Sequence, residues 1–65
     1  MKVYRTVDND TQVVDSGKPL ADVLLDDMEL LKQIGAEFHL DNLGGGTYAL
    51  HVKLGTVDAT AIYTT

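Results

Sequence analysis

The sequence predicts an α+β domain, one helix packed on a face of a small antiparallel sheet. Three observations lead there. Pro19 to Ile34 (PLADVLLDDMELLKQI) carries the strongest helical pattern in the chain. The segments on both sides of it alternate apolar and polar residues with a period of two, as half-buried strands do. The chain has 65 residues and no cysteine, enough for one domain spanning 1–65 and without a disulfide or thiolate staple. A chain of this size buries only about 60 % of the surface its unfolded form exposes, so close packing or self-association must support it. A hydrophobic content of 45 % is that of a globular domain rather than a disordered one.

Lys2 to Val7 (KVYRTV) is rich in β-formers, with Val3 and Val7 on one side and Tyr4 on the other. Asp8-Asn9-Asp10 is a turn cluster, because Asn and Asp tolerate left-handed backbone and bond their own main chain. Thr11 to Val14 returns as a second strand. Asp15 to Pro19 breaks the pattern, and Pro19 suits a first helical position, where its missing N–H costs nothing. The helix ends at Gly35, the residue best able to take the left-handed conformation after a last turn. Lys32 lies in that last turn and the acids lie earlier, the order the helix dipole favours.

Ala36 to Leu40 (AEFHL) alternates again, with Ala36, Phe38 and Leu40 inward and Glu37 and His39 outward. Asp41 to Gly46 (DNLGGG) reads as a loop. Thr47 to Leu54 (TYALHVKL) has the cleanest alternation in the chain. Tyr48, Leu50, Val52 and Leu54 share one face; Ala49, His51 and Lys53 share the other. Gly55 turns the chain into a last strand, Thr56 to Tyr63, with Val57, Ala59, Ala61 and Tyr63 on one face. The order of elements is ββαβββ, with three to five strands in the sheet. Phe38 and Tyr48 are the expected aromatic core positions.

The helix contains one anomaly. At 100° per residue, Leu20, Val23, Leu24, Leu30, Leu31 and Ile34 form an apolar band, and Ala21, Leu25 and Met28 widen it. Asp27 falls inside the band, where an unpaired carboxylate is costly. Three arrangements resolve it. The helix breaks near residue 26, with Asp26 and Glu29 as a capping box and Leu25 and Leu30 as its staple. Or the helix continues and Asp27 pairs with a base from the sheet. Or Asp27 belongs to an interface. The fold class therefore leaves open one helix or two short ones meeting near Asp26.

Ten acids against five bases give a net charge of −5. That balance argues against direct binding to nucleic acid or to an anionic membrane, both of which need Lys and Arg. It favours attraction to basic surfaces. The start of the chain has no apolar signal-peptide core, and no run approaches the 18 apolar residues of a membrane span, so the expected location is cytoplasmic.

Chemistry is thinly represented. His39 and His51 fall on the outer face, with Glu37 and Asp41 near the first, but their spacing matches no short metal motif. Gly44-Gly45-Gly46-Thr47 lacks the lysine and following helix of a phosphate-binding loop. The lone serine, Ser16, has no base placed beside it by sequence. The expectation is a protein without catalysis, cofactor or bound metal.

By elimination the sequence points to an interaction module, a regulator or inhibitor that binds a basic protein partner. Its candidate contact residues are Asp22, Leu25, Asp26, Met28 and Glu29 on the helix. The acids would supply attraction and the apolar residues most of the affinity. A nucleic-acid mimic that inhibits a DNA- or RNA-binding protein, and a structural subunit of a larger assembly, are the alternatives. The small core and exposed strand edges also lead us to expect a homodimer.

Overall fold

A computed structural model describes residues 2–15 and 17–65. Ser16, in the break before the helix, lies outside the described residues. Among those described, the chain forms β1 (Val3–Val7), β2 (Asp10–Val14), α1 (Leu20–Gln33), β3 (Glu37–Gly44), β4 (Thr47–Leu54) and β5 (Val57–Thr64). The order is ββαβββ and the fold is α+β. The strands make one antiparallel sheet in the order β2-β1-β5-β4-β3. Pairing of β1 with β5 joins the two ends of the chain at the middle of the sheet.

The strand register explains the alternation in the sequence. Leu40, Leu50, Ala61 and Val7 fall in one cross-strand row, and Tyr48, Tyr63 and Arg5 in the next. These rows face the helix. Val3, Leu50, Ala61 and Tyr63 are buried against Val23 and Leu24 of α1. Tyr63 is only 1 % exposed, whereas Phe38 is 38 % exposed and Tyr48 lies at the core's margin. The expectation for Phe38 therefore fails: it lies on β3, an edge strand, where the helix leaves it uncovered. The Tyr63 ring, in a central strand, fills the core instead.

The hairpins are tighter than the sequence suggests. Asp8 and Asn9 both take positive φ, 51° and 65°, between the closing pair Val7 and Asp10. Positive φ at both central residues marks a two-residue type I′ turn, whose twist matches that of the flanking strands. β3 runs on through Asp41 to Gly44, so DNLGGG is strand for most of its length rather than loop. A bulge between Asn42 and Gly44 accommodates the extra residue, and the Asn42 side chain accepts the Gly44 N–H.

α1 is one continuous helix from Leu20 to Gln33. Pro19 is its N-cap rather than its first helical residue, and the Pro19 carbonyl accepts the Asp22 and Val23 N–H groups. The capping box at Asp26 does not form, because the backbone there never leaves the helix; Asp26 reaches Lys18 instead, at 2.7 Å. At the other end the Gly35 N–H bonds the Lys32 carbonyl and the Ala36 N–H bonds the Leu31 carbonyl. With Gly35 at φ 79°, this is a Schellman stop, and it turns buried Ala36 beneath the helix to begin β3.

Candidate functional site

Asp27 has a structural partner. Arg5 of β1 donates from Nη1 to Asp27 Oδ2 at 2.8 Å, and the Tyr63 hydroxyl donates to the same oxygen. Arg5 also donates from Nη2 to Gln12 Oε1 at 2.8 Å. Of the three arrangements the sequence allowed, the continuous helix paired to a sheet base is the one present. The hydrogen bond to Asp27 raises the Arg5 pKa. Burial, reinforced by the neighbouring carboxylate, raises that of the Tyr63 phenol. Both shifts favour the protonated partner that Asp27 needs. The triad ties the helix to β1 and β5, so Asp27 serves the fold.

The outward side of α1 carries the predicted contact residues, and four of the five are exposed. Asp22, Leu25, Asp26 and Glu29 face solvent, with Leu25 59 % exposed. Met28 is half-buried and packs on the core, which removes it from this surface. The two acids Asp22 and Asp26 lead, at four-residue spacing, to Leu30 and Ile34 on the same side of the helix.

Leu30 and Ile34 are residues the helical wheel assigns to the core, yet both are exposed, Leu30 by 58 %. At the end of the sheet where β4 turns into β5, apolar side chains are left uncovered. Leu54 and Val57, the closing pair of that turn, point to the helix side and remain open, with Val57 63 % exposed. Between them and Leu50 in the core runs the row Phe38, Val52, Ala59. A groove of about 220 Å³ opens here between helix and sheet. Leu30 and Leu31 line its helix side, and Val7 belongs to its sheet side. Leu50, Val52 and Ala61 form the floor, and the Arg5–Asp27 pair closes one end. The groove, with Leu54 and Val57 beyond it, is an apolar strip whose helix side, at Leu30, continues the row that carries Asp22 and Asp26. A wheel cannot show this, since it knows the direction of each side chain and not how far the sheet extends beneath it.

The open face of the sheet carries the histidines. His39 and His51 are cross-strand neighbours, stacked with centroids 6.2 Å apart and planes 17° from parallel. His39 Nε2 lies 2.8 Å from Asp41 Oδ1, and His51 Nε2 lies 2.9 Å from Asp41 Oδ2. A carboxylate only accepts, so both Nε2 atoms donate. The His51 bond, with support from His39, holds the Asp41 carboxyl below its usual pKa. His51 Nδ1 also meets Thr60 Oγ1 at 3.1 Å. The order hydroxyl, imidazole, carboxylate is that of an activated nucleophile. Here, however, His51 and Asp41 stand in water, and His51 opens onto a hollow of about 690 Å³ shared with the charged Asp8, Glu37, Lys53 and Asp58. Nothing excludes solvent or enhances the electrostatics of such a group. Each imidazole takes its own carboxylate oxygen, so the three side chains do not converge on one point. Among the described residues no group of three or more His, Cys, Asp or Glu is arranged to hold a metal ion.

No helix of the described residues is long and apolar enough to cross a membrane. No protein-family model, curated protein or solved structure matches this chain.

Proposed function

We propose that this protein is a non-enzymatic interaction module, a regulator or inhibitor that binds a basic protein partner through the strip beside the C-terminal half of α1. One observation carries the reading. An apolar groove, flanked by exposed Leu30, Ile34, Leu54 and Val57, adjoins a helix side bearing Asp22, Asp26 and Glu29. An apolar side chain from the partner fills the groove, and Lys or Arg around it meets the acids. Buried apolar anchors supply most of the affinity of such contacts, and rim charges mainly speed and orient encounter. The contact surface so defined keeps Asp22, Asp26 and Glu29 and shifts its apolar part from Leu25 and Met28 to Leu30 and Val57.

The test is a comparative capture from the native cell. The charge-reversed variant Asp22→Lys, Asp26→Lys, Glu29→Lys should recover a partner more weakly than wild type, and added salt should weaken the wild-type capture in the same way. A partner held equally by both proteins at all salt concentrations contradicts the role of the acids.

A further inference from the structure

We propose that β3 pairs with β3 of a second copy, antiparallel about a two-fold axis through Leu40. This surface is the backbone edge of β3 rather than the groove beside α1, and the inference does not depend on that reading.

β3 is one edge of the sheet, and its outer side has no neighbour among the described residues. It is the longer of the two edges. The other, β2, spans Asp10–Val14 and carries polar Asp10 and Gln12 on the helix side, with Gln12 already bonded to Arg5. β3 places Phe38 and Leu40 on that side and lacks the proline or lysine that commonly protects an edge. An unpaired edge of this kind is a template for another strand.

The charges on β3 and the backbone bonds already made around it select the register. Two copies of a strand related by a two-fold axis run antiparallel and keep their faces, so the axis passes through a residue. An axis through His39 sets His39 against its own copy and Glu37 against Asp41 of the other chain. An axis through Asp41 sets that carboxylate against itself. Both put like charges opposite each other, which destabilises a pair. An axis through Phe38 brings Leu40 opposite Ala36, whose N–H is already committed to the Leu31 carbonyl at the end of α1. The axis through Leu40 sets His39 opposite Asp41 twice over and Leu40 against Leu40. Pairing from Phe38 to Asn42 then lies within the strand and stops at the bulge that follows Asn42. The His39–Asp41 pair of each chain then lies directly across from the same pair of the other chain, running in the reverse order. The products are a continuous ten-stranded sheet and one shared open face.

Sedimentation equilibrium and cysteine cross-linking test this together. Wild-type protein at high micromolar concentration should sediment at twice the chain mass; a monomer overturns the proposal. The chain has no cysteine of its own, so introduced ones report cleanly. His39→Cys and Asp41→Cys, mixed and oxidised, should form a disulfide between unlike chains. Directly opposed Cα atoms of an antiparallel pair lie about 4.5–5.5 Å apart, within disulfide reach. Each variant alone should stay uncross-linked, because its cysteines sit two positions out of step. Cross-linking of His39→Cys alone, or of a Glu37→Cys and His39→Cys mixture in place of the predicted one, overturns the register. Circular dichroism on both variants confirms that they fold; failure of folded variants to cross-link as a mixture also overturns it.

Discussion

Asp27 holds the helix to the sheet through one carboxylate oxygen shared by Arg5 and Tyr63. Its position in an apolar band was legible in the sequence as a demand for a partner. The partner's identity was not, because Arg5 and Tyr63 lie 22 and 36 residues away and only the β1–β5 pairing brings them together. Tyr63→Phe removes one donor and should cost about 1 kcal/mol in a urea melt. Arg5→Leu leaves the half-buried carboxylate with the phenol alone and should cost more, about 1–3 kcal/mol. The pH dependence has a defined sign. The phenol's pKa is raised on folding, so its contribution is complete below the ordinary tyrosine value of about 10 and is lost as pH rises beyond it. Urea midpoints should fall above pH 10 in wild type and fall less in Tyr63→Phe. Asp41 works in the other direction: its pKa is lowered, so its smaller contribution is present above about pH 4 and lost as pH falls through the folded value.

The elements follow local rules that the sequence states openly, and they depart from it where tertiary contacts intervene. Gly35 marks the helix end in both sequence and structure, since a residue at φ 79° whose N–H and that of Ala36 both bond back to the last turn is a position for glycine. Gly35→Ala should lower stability by about 1 kcal/mol without moving any contact, because space for a methyl group is open there and only the backbone conformation resists it. Asp26→Ala should leave the melting midpoint nearly unchanged, for the Lys18 pair is exposed and no helix start depends on it. A marked loss would show that the residue caps a helix after all. β3 was harder to read. Three glycines made DNLGGG look like a loop, yet pairing with β4 carries Asp41 to Gly44 into the ladder and leaves Gly45 and Gly46 to form the turn. Strand pairing supplies there what local propensity withholds.

At the scale of the whole molecule, one helix cannot cover the inner face of a five-stranded sheet. The sequence showed an apolar arc too wide for a single contact, and the structure divides it. Val23 and Leu24 take the core, Met28 closes its margin, and Leu25, Leu30 and Ile34 stay in solvent. The uncovered end at Leu54 and Val57 depends on strand order and on how the helix crosses the sheet, neither of which local periodicity records. The core is small, so Leu50→Ala, which empties its centre, should cost about 2–5 kcal/mol and bring the domain close to unfolding. The exposed residues carry no such burden and can be altered without harming the fold. The most direct measurement therefore compares wild type with the double variant Leu30→Glu, Val57→Glu in capture from the native cell, with thermal melts establishing that both are folded. The variant should melt near the wild-type temperature and lose the partner that wild type retains. A folded variant that holds the same partner equally well would contradict the proposed contact.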